Sequence, residues 1–389
     1  PAEVEAIEAF LFSQAEFRHN VITHHCEIRW TEEAGFLPLT DRDVNTLWGR
    51  MNKTVGRVYL TDIYNVIHSE FVPLFNPFQS YFDHLPSWDG VSDPIGDLAD
   101  TVHVKSDQAE FRDYFRKWFV GILPALLDDT VVNHEILVLI GEQGLYKTTW
   151  FNFLLPPELR CYFYTKTNSD RLNKDDLFSL TEFALICFEE LDGMRPAELN
   201  QLKAMVTMPY VNERAAYGRN KERHPHIASF CGTGNNVQFL TDPTGNRRWL
   251  PFEVSQIRDP HQHAIPYELV YSQAYALWKS GFCHWFSQEE IRVLNTHNSR
   301  FEVPNLEEDL IRTHFRKPFE GEAGIFVTAA DILEQISSCR YPLSPNKIGR
   351  IMAGLEFESI RYKGKRGYIT VKKTGEDIDR ERRSGALGL

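Results

Sequence analysis

The sequence predicts an α/β fold built on a parallel sheet. Three segments are continuously apolar rather than alternating, as expected for strands buried on both faces of such a sheet: Glu135–Ile140, Phe183–Phe188 and Ile227–Cys231. Helical patterns separate them, at Lys147–Leu154, Asp176–Leu180 and Pro196–Thr207. Strands that alternate with helices in this way favour an α/β core.

The composition is that of a folded protein. At ~150 residues per domain, 389 residues predict two or three domains. Acidic residues outnumber basic ones by 54 to 42, so bulk charge does not favour nucleic-acid binding, and only local basic clusters would. None of the six cysteines forms a C-x-x-C pair, which argues against a cysteine-rich zinc site and a disulfide scaffold.

Membrane and secretory features are not evident in the sequence. No apolar run reaches the ~18 residues that a membrane span needs. The first residues, PAEVEAIEAFLF, are acidic, unlike the basic start of a signal peptide. We therefore expect a reduced, cytoplasmic protein without a membrane partner.

Two regions precede the core. In the N-terminal α/β or helical region, residues 1–75, Asp41 and Thr61 can each cap a helix. Residues 76–130 are expected to be a linker and a helical lead-in, because the segment 75–105 is rich in Pro, Asp and Gly. An aromatic-rich helix is predicted over Phe111–Leu127.

The core is expected to span residues 131–317 and a smaller domain residues 318–373. Helices beginning near Tyr267 and Ser287 close the core, the second with a capping box formed by Ser287 and Glu290. In the smaller domain, helix starts at Thr328 and Ser344 precede two strands joined by KGKR. This order is that of a winged helix. The tail, residues 374–389, is polar and expected to be disordered.

The strongest functional signal is GEQGLYKTT, residues 141–149, which follows an apolar strand and opens a helix. This is the context of a phosphate-binding P-loop. Small residues let backbone N–H groups converge on phosphate oxygens. Lys147 would contact the β- and γ-phosphates, and the Thr148 hydroxyl would ligate Mg²⁺. The remaining nucleotide-binding candidates are Gly141, Gly144, Tyr146 and Thr149.

Tyr146 departs from the P-loop pattern, because Gly is usual at this position. Its amide can still donate a hydrogen bond, but its side chain must leave the phosphate pocket. The alternative interpretation of the segment is a strand–helix turn with an incidental Lys.

The second signal is ALICFEELD, residues 184–192, an apolar strand that ends in acidic residues. In a parallel sheet these carboxylates would lie beside the P-loop. We assign Glu189 to the metal shell and Glu190 to the attacking water, although the two could exchange. Asp192 is a third candidate. The alternative is a solvated acidic loop.

Two further segments complete the set. Asn235, which follows the strand FCGTG, could hydrogen-bond the γ-phosphate or the attacking water, although Asn-Asn also suits an ordinary turn. In DPTGNRRW, residues 242–249, Arg247 or Arg248 could neutralise charge on a transferring phosphoryl group, in cis or from a neighbouring subunit. The alternative role of these arginines is pairing with surface acids.

Two basic stretches are candidate contacts for a phosphate backbone. The first, residues 212–223, contributes Arg219, Lys221 and Arg223. The second, residues 361–373, has six Lys or Arg and no Asp or Glu, and contributes Lys363, Lys365 and Arg366. A solvated face is the alternative for both.

These motifs together resemble those of the virulence-associated protein E family, P-loop ATPases of phages and other mobile elements that are similar to superfamily-3 helicases. The matching text is G-x-Q-G-x-x-K-[ST], E-L-D, Y-G-R, G-T-x-N and D-P-T-G-N-R-R, here at 141–148, 190–192, 217–219, 232–235 and 242–248. The segment YFDHLPSWDG, residues 81–90, is also similar. The resemblance covers about residues 75–300.

The resemblance implies a P-loop NTPase core, related to AAA+ proteins, that assembles as a ring, expected to be a hexamer. It implies ATP and Mg²⁺ as cofactors, with Lys147 and Thr148 binding them. Glu189 or Glu190 would serve the metal and water, Asn235 would be a polar sensor, and Arg247 or Arg248 a finger that reaches an adjacent subunit. A hairpin at 212–226 would contact DNA in the ring channel.

Two departures from the family pattern imply slow turnover: Tyr146 replaces Gly, and Cys187 stands where many members carry an acid. Such cores often accompany a primase, but residues 1–75 show no primase-like pair of acids. A primase is therefore expected on another chain or has been lost.

The functional prediction is a DNA helicase or translocase that hydrolyses ATP between the subunits of a ring and acts on single-stranded or forked DNA in phage-type replication. The alternative is a nucleotide-switched module that binds DNA or oligomerises with little hydrolysis. A weaker third hypothesis is a small-molecule kinase, for which the sequence supplies no acceptor pocket.

Overall fold

The polypeptide divides into two units, residues 1–302 and 303–389. The structure, a computed structural model, describes residues 3–31, 35–167, 174–213, 222–241, 246–303, 306–319, 321–336, 345–375 and 377. No helix among these residues is long and apolar enough to cross a membrane.

The first unit begins with a small sheet packed on three helices. These elements are α1 (Val4–Gln14), β1 (Ala15–Asn20), β2 (His25–Trp30), β3 (Leu37–Pro38), α2 (Asp41–Thr54), α3 (Leu60–Ile67) and β4 (Leu74–Phe75). The strand order is β3-β2-β1-β4, with β4 parallel to β1 and the other pairs antiparallel. Both predicted helices form, but they start one and two residues earlier than predicted: the N-cap is Thr40 for α2 and Tyr59 for α3.

The segment predicted as a linker is instead ordered. It forms α4 (Pro77–Asp83), α5 (Pro94–Ala99) and β5 (Val102–Val104), the last an edge strand of the central sheet. The linker prediction is wrong because two of the three prolines begin helices: Asn76 and Asp93 cap α4 and α5, and Pro follows at the first position of each.

The central sheet and its helices follow in the order α6 (Gln108–Leu127), β6 (Ile136–Ile140), α7 (Lys147–Phe153), β7 (Phe163–Lys166), α8 (Lys174–Glu182), β8 (Leu185–Phe188), α9 (Pro196–Val206), β9 (Tyr210–Glu213), β10 (Glu222–Pro225), β11 (Ser229–Gly234), β12 (Trp249–Ile257), α10 (Tyr267–Lys279) and α11 (Gln288–Asn298). The sheet order is β5-β12-β6-β11-β8-β7. All pairs are parallel except that of β5 with β12. The strands β9 and β10 form a separate antiparallel hairpin.

The core lies on both faces of this sheet, which confirms the mixed α/β prediction. In β6, Leu137 and Leu139 join one apolar cluster with α6, α7 and α10. Ile136, Val138 and Ile140 join the opposite cluster with α8 and α9. Because five strands run parallel, their carboxyl ends lie at one edge of the sheet and their amino ends at the other.

A buried polar clasp fixes α6 against the sheet. The Trp118 indole Nε1 donates to the Phe230 carbonyl of β11 at 2.9 Å. The Asn133 side-chain amide donates to the Trp118 carbonyl at 3.0 Å and to Ser229 Oγ at 3.1 Å. All four residues are buried. The clasp therefore sets the position of α6 along β11.

The second unit contains α12 (Leu306–His314), β13 (Phe315–Arg316), β14 (Ile325–Val327), α13 (Ala329–Ile336), α14 (Pro345–Gly354), β15 (Ser359–Tyr362) and β16 (Lys365–Lys372). Its sheet has the order β13-β16-β14, with β15 also paired to β16. Ile311 of α12 is buried in the same cluster as Ile332 and Ile348, and β13 pairs with β16. The unit therefore begins near residue 303 rather than at the predicted residue 318. Of the predicted tail, residues 376 and 378–389 lie outside the described residues.

The clasp leads to a stability prediction. Trp118→Phe removes the donor to a buried carbonyl, and we expect it to lower the free energy of unfolding by about 2–4 kcal/mol through the lost hydrogen bond and packing. Trp48→Phe is the control, because the Trp48 indole also donates to a carbonyl, that of Val58 at 2.9 Å, but its side chain is 41% exposed. Urea unfolding of the two variants should differ by more than 1 kcal/mol; equal losses would contradict the role of the clasp.

Candidate active site

Three of the predicted site segments meet at the carboxyl edge of the central sheet. The loop 141–146 follows β6, the acidic residues 189–192 follow β8, and Asn235 follows β11. Because β11 lies between β6 and β8, the three chain ends are neighbours in space. The sheet therefore brings together the residues that the motifs suggested.

Close backbone approaches shape the loop. The Gly141 amide donates to the Gly234 carbonyl at 3.1 Å, and a Cβ at Gly141 would lie 2.9 Å from the Val254 carbonyl oxygen. Tyr146 adopts a left-handed conformation with φ of 59°, a region that favours Gly. Its side chain is 43% exposed. The departure from the P-loop pattern is thus accommodated by strained backbone and an outward-facing ring.

Lys147, at the start of α7, is held by the loop that precedes it. Its Nζ donates to the Gly141 carbonyl at 2.6 Å and the Glu142 carbonyl at 2.8 Å, and lies 3.5 Å from Asn235 Oδ1. Burial lowers the pKa of Lys147, while the charge of Asp192 acts in the opposite direction. The ammonium group therefore lies at the centre of the carboxyl edge, between the loop and Asn235.

Thr148 and Glu189 form the second contact of the site. The Thr148 Oγ1 donates to Glu189 Oε1 at 2.8 Å. A hydroxyl and a carboxylate side by side suit Mg²⁺, which prefers oxygen ligands and needs few from the protein when phosphates supply the rest. The next residue, Thr149, is half-buried in the first turn of α7.

Glu189 and Glu190 differ in environment. Glu189 is half-buried beside Thr148, and its amide donates to the Lys166 carbonyl at 2.9 Å. Glu190 is exposed and has a left-handed backbone, with φ of 54°, where the chain leaves β8. This geometry favours Glu189 as the partner of the metal and leaves Glu190 accessible to solvent.

Asp192 is an anchor for the segment after β11 rather than a free acid. It accepts hydrogen bonds from the Asn235 amide at 3.2 Å, the Asn236 amide at 3.1 Å and the Asn236 side chain at 2.8 Å. Gly232 and Gly234 permit this approach: a Cβ at Gly232 would lie 2.2 Å from Leu191 Cδ1, and one at Gly234 3.0 Å from Asp192 Oδ1. The two glycines of G-T-G-N-N could have indicated this close approach, but the sequence analysis did not predict it.

The two arginines lie at the opposite edge of the sheet. They precede β12, whose first residue, Trp249, pairs in register with Ile136 at the start of β6. Five strand residues at 3.3 Å each put them about 16 Å from the loop along the sheet. The buried Asn298 fixes their turn by donating to the Asn246 carbonyl at 2.7 Å. Neither arginine is therefore part of the carboxyl-edge cluster of its own chain.

Arg247 and Arg248 have different surroundings. Arg247 is exposed. Arg248 is half-buried in a cavity of about 260 Å³ that Glu135 also lines. Burial lowers the pKa of Arg248, and burial raises the pKa of Glu135 to about 7, while each charge acts against the shift of the other. Both arginines line this cavity, with Arg248 the more buried and Arg247 the more exposed of the two.

The basic candidates are only partly described. Arg219 and Lys221, with the segments 217–219 and 242–245, lie outside the described residues. Arg223 is exposed on β10, with its guanidinium 3.7 Å from the centre of the Tyr210 ring.

In the second unit, Lys363 and Gly364 both have positive φ and form the two-residue turn between β15 and β16. Lys363, Lys365 and Arg366 are exposed on this hairpin. The turn therefore presents a cluster of positive charge to solvent.

Comparison with known proteins places the chain in a family. A model of the virulence-associated protein E-like domain matches residues 83–303, more than half of the chain. The chain belongs to this family. The matched range contains the loop, the acidic residues, Asn235 and both arginines.

Three solved apo structures of the NrS-1 C terminal region are similar to this member of the virulence-associated protein E-like family. Each is 12% identical and covers 95% of this chain and 99% of that one, with TM-scores of 0.48, 0.46 and 0.49. No curated protein matches the chain in sequence.

The Asp192 anchor gives a prediction that does not depend on function. Asp192→Asn replaces one carboxylate oxygen, which accepts hydrogen bonds, with an amide N–H₂ group, which donates them. Some of the hydrogen bonds from Asn235 and Asn236 are therefore lost. We expect a loss of about 1–3 kcal/mol in local stability, because the Asn235 and Asn236 donors lose a partner. Amide hydrogen exchange at these two residues should be at least fivefold faster. Glu190→Gln, the control on the same turn, should leave their exchange unchanged; an equal effect would contradict the anchor.

Proposed function

We propose that this chain is an ATP-dependent DNA helicase or translocase with a P-loop core of the AAA+ and superfamily-3 type. The observation that carries the proposal is the cluster of Lys147, Thr148 and Glu189 at the carboxyl end of β6. Ligands of open α/β sheets bind at this edge, where the chain passes to both sides of a central strand. The sheet order, with β6 between β11 and β12, supplies such a point.

The site residues suit a nucleoside triphosphate. Lys147 would exchange the carbonyl oxygens of Gly141 and Glu142 for phosphate oxygens. Thr148 and Glu189 would hold Mg²⁺, which neutralises charge on the phosphates when bound. A carboxylate that accepts a hydrogen bond from the Thr148 hydroxyl already has the orientation needed for this shared ligation.

Water activation falls to Glu190 or Glu189. Glu190 is the exposed member of the pair and Glu189 the one beside Thr148, so we assign Glu190 to the water and Glu189 to the metal. Asn235, whose Oδ1 faces Lys147 and whose amide is held by Asp192, would sense the γ-phosphate.

The arginine finger would come from a neighbouring subunit. Arg247 lies at the amino edge of the sheet, about 16 Å from the loop of its own chain. A head-to-tail ring, proposed as a hexamer, would bring that edge to the carboxyl edge of the next subunit. Because Arg248 is half-buried, the exposed Arg247 is the better candidate for the finger.

DNA is the proposed partner, single-stranded or forked. The hairpin turn with Lys363, Lys365 and Arg366 offers exposed positive charge, and a ring can keep an acidic exterior around a basic channel. Membership of the virulence-associated protein E-like family supports a role in phage-type DNA replication. We propose a cytoplasmic location.

A second candidate function is a nucleotide-switched module with little hydrolysis. It is favoured by the left-handed Tyr146, which places a large residue at the start of α7, where the P-loop pattern has Gly. In this case ATP would bind and order the oligomer without rapid turnover.

The first experiment is steady-state ATP hydrolysis with and without single-stranded DNA. Lys147→Ala should lower turnover at least 100-fold, because one preorganised charge contact is worth about 10²–10³ in rate. Lys279→Ala, at a surface lysine of α10, is the matched control and should be unchanged. DNA-stimulated turnover that depends on Lys147 supports the motor. ATP binding without turnover, equal in wild type and Glu190→Gln, would favour the switch instead.

Mixing of subunits tests the finger. Arg247→Ala and Lys147→Ala proteins should each be inactive, but at a 1:1 mixture about a quarter of randomly formed interfaces contain both intact residues. We expect hydrolysis to return to that fraction of wild type. Arg248→Ala in place of Arg247→Ala is the comparison. A mixture that stays inactive while the assembly forms would mean that Arg247 does not act between subunits.

A further inference from the structure

A large cavity of the first unit lies away from the carboxyl edge of the sheet. Its volume is about 760 Å³, within the range of 300–1,000 Å³ typical of ligand sites. Its walls come from the N-terminal sheet, α4, the turn 157–162 and the start of α10. None of the residues assigned to nucleotide or DNA lines it, so the proposed function does not use it.

One part of the cavity is occupied by the cationic side chain of Arg18. The guanidinium of Arg18 lies 3.6 Å from the centre of the Phe75 ring and 4.0 Å from that of Phe36, and Arg18 also pairs with Glu27. A planar guanidinium between two aromatic faces and against a carboxylate is a favourable arrangement. This part of the cavity is therefore filled by a cation of the chain itself.

The remaining part has similar chemistry, and no Lys or Arg other than Arg18 is among the residues that line the cavity. The Tyr81 ring lines the cavity, and Glu158 and Glu268 are exposed carboxylates in the same lining. Among the described residues, neither carboxylate forms an ion pair, and the buried hydroxyl of Tyr81 has no hydrogen-bond partner.

The nearby cation Arg160 is already engaged. Its side chain donates to the Tyr267 hydroxyl at 3.0 Å, and its guanidinium lies over the Phe153 ring. Burial, together with the charges of Glu158 and Glu268, raises the pKa of Tyr81. The phenol therefore stays neutral, and because its hydroxyl is buried, the part of Tyr81 that a cation in the cavity can contact is the ring.

We propose that this cavity binds an arginine side chain from a basic segment of a partner protein, with the guanidinium at Tyr81, Glu158 and Glu268. The planar head would stack on the Tyr81 ring as Arg18 does on its two rings. The methylene stem would pack on the mostly apolar wall. Nucleic acid does not fit, because the carboxylates repel phosphates.

The test uses the full chain and the peptide Gly-Arg-Gly-Arg-Gly amide, labelled with fluorescein at its N-terminal amine, and follows binding by fluorescence polarisation. A twin peptide with citrulline in place of arginine has the same shape without the charge. We expect saturable binding of the arginine peptide and at least tenfold weaker binding of its twin.

Matched variants separate the cavity from the general acidity of the chain. Glu158→Gln with Glu268→Gln should weaken binding roughly tenfold, as expected for the loss of two exposed ion pairs. Glu5→Gln with Glu289→Gln changes the net charge by the same amount at exposed helix starts elsewhere and should leave binding unchanged. Tyr81→Phe keeps the ring and removes only the buried hydroxyl, so it should leave binding unchanged.

Four results would overturn the proposal. They are the absence of saturable binding, equal binding of the citrulline peptide, equal losses in the two double variants, and a change in single-stranded DNA affinity in the Glu158→Gln, Glu268→Gln protein with no change in peptide binding. ATP hydrolysis is not part of the readout, so the outcome is independent of the proposed function.

Discussion

The parallel register of β6 with β11 and β12 is the constraint on which the rest of the structure depends. Five parallel strands give the sheet two chemically different edges, and the register decides which residues lie at each. The loop, the acidic residues and Asn235 fall at the carboxyl edge, whereas Arg247 and Arg248 fall at the amino edge. A shift of this register would separate Lys147 from Asn235, and the cluster of polar residues at the carboxyl edge would no longer form.

Contacts made by residues of β11 fix the positions of α6 and of the turn 191–193 relative to the sheet. The Trp118 clasp holds α6 on one face of β11, and Gly232 with Gly234 lets the turn 191–193 lie directly against the strand. Asp192 then ties the acidic turn to the segment that carries Asn235. The candidate site is thus positioned by residues that are not themselves assigned a role in its chemistry.

Much of this architecture is readable from the sequence, because buried parallel strands are continuously apolar and each is followed by polar residues. The strand ends at Ile140 and Phe188 could be placed for that reason, whereas the third strand, predicted over Ile227–Cys231, extends to Gly234. The segment 76–105 could not, because proline at a first helical position and proline in a linker look alike until the capping side chain is seen. The boundary near residue 303 was missed because α12 is amphipathic and could pack on either unit.

The site was predictable in its members and less so in its contacts. Charge and spacing single out Lys147, Thr148 and Glu189, but hydrogen bonds over 40 residues apart in sequence, such as that of Asp192 with Asn235, depend on strand order. The same holds for the arginines. Arg247 and Arg248 belong to the same set of motifs as the loop. Only the parallel pairing of β12 with β6 shows that they lie at the opposite edge of the sheet.

The two carbonyl contacts of Lys147 have a thermodynamic consequence. An anion that binds the Lys147 ammonium group replaces its hydrogen bonds to the carbonyl oxygens of Gly141 and Glu142. Two hydrogen bonds to neutral carbonyls are thus exchanged for contacts with a charged group, and no hydrogen bonds are added. The free energy of binding then depends on the number of negative charges on the incoming group more than on its hydrogen-bonding atoms. For the proposed nucleotide ligand, we therefore expect affinity to rise with the number of phosphates.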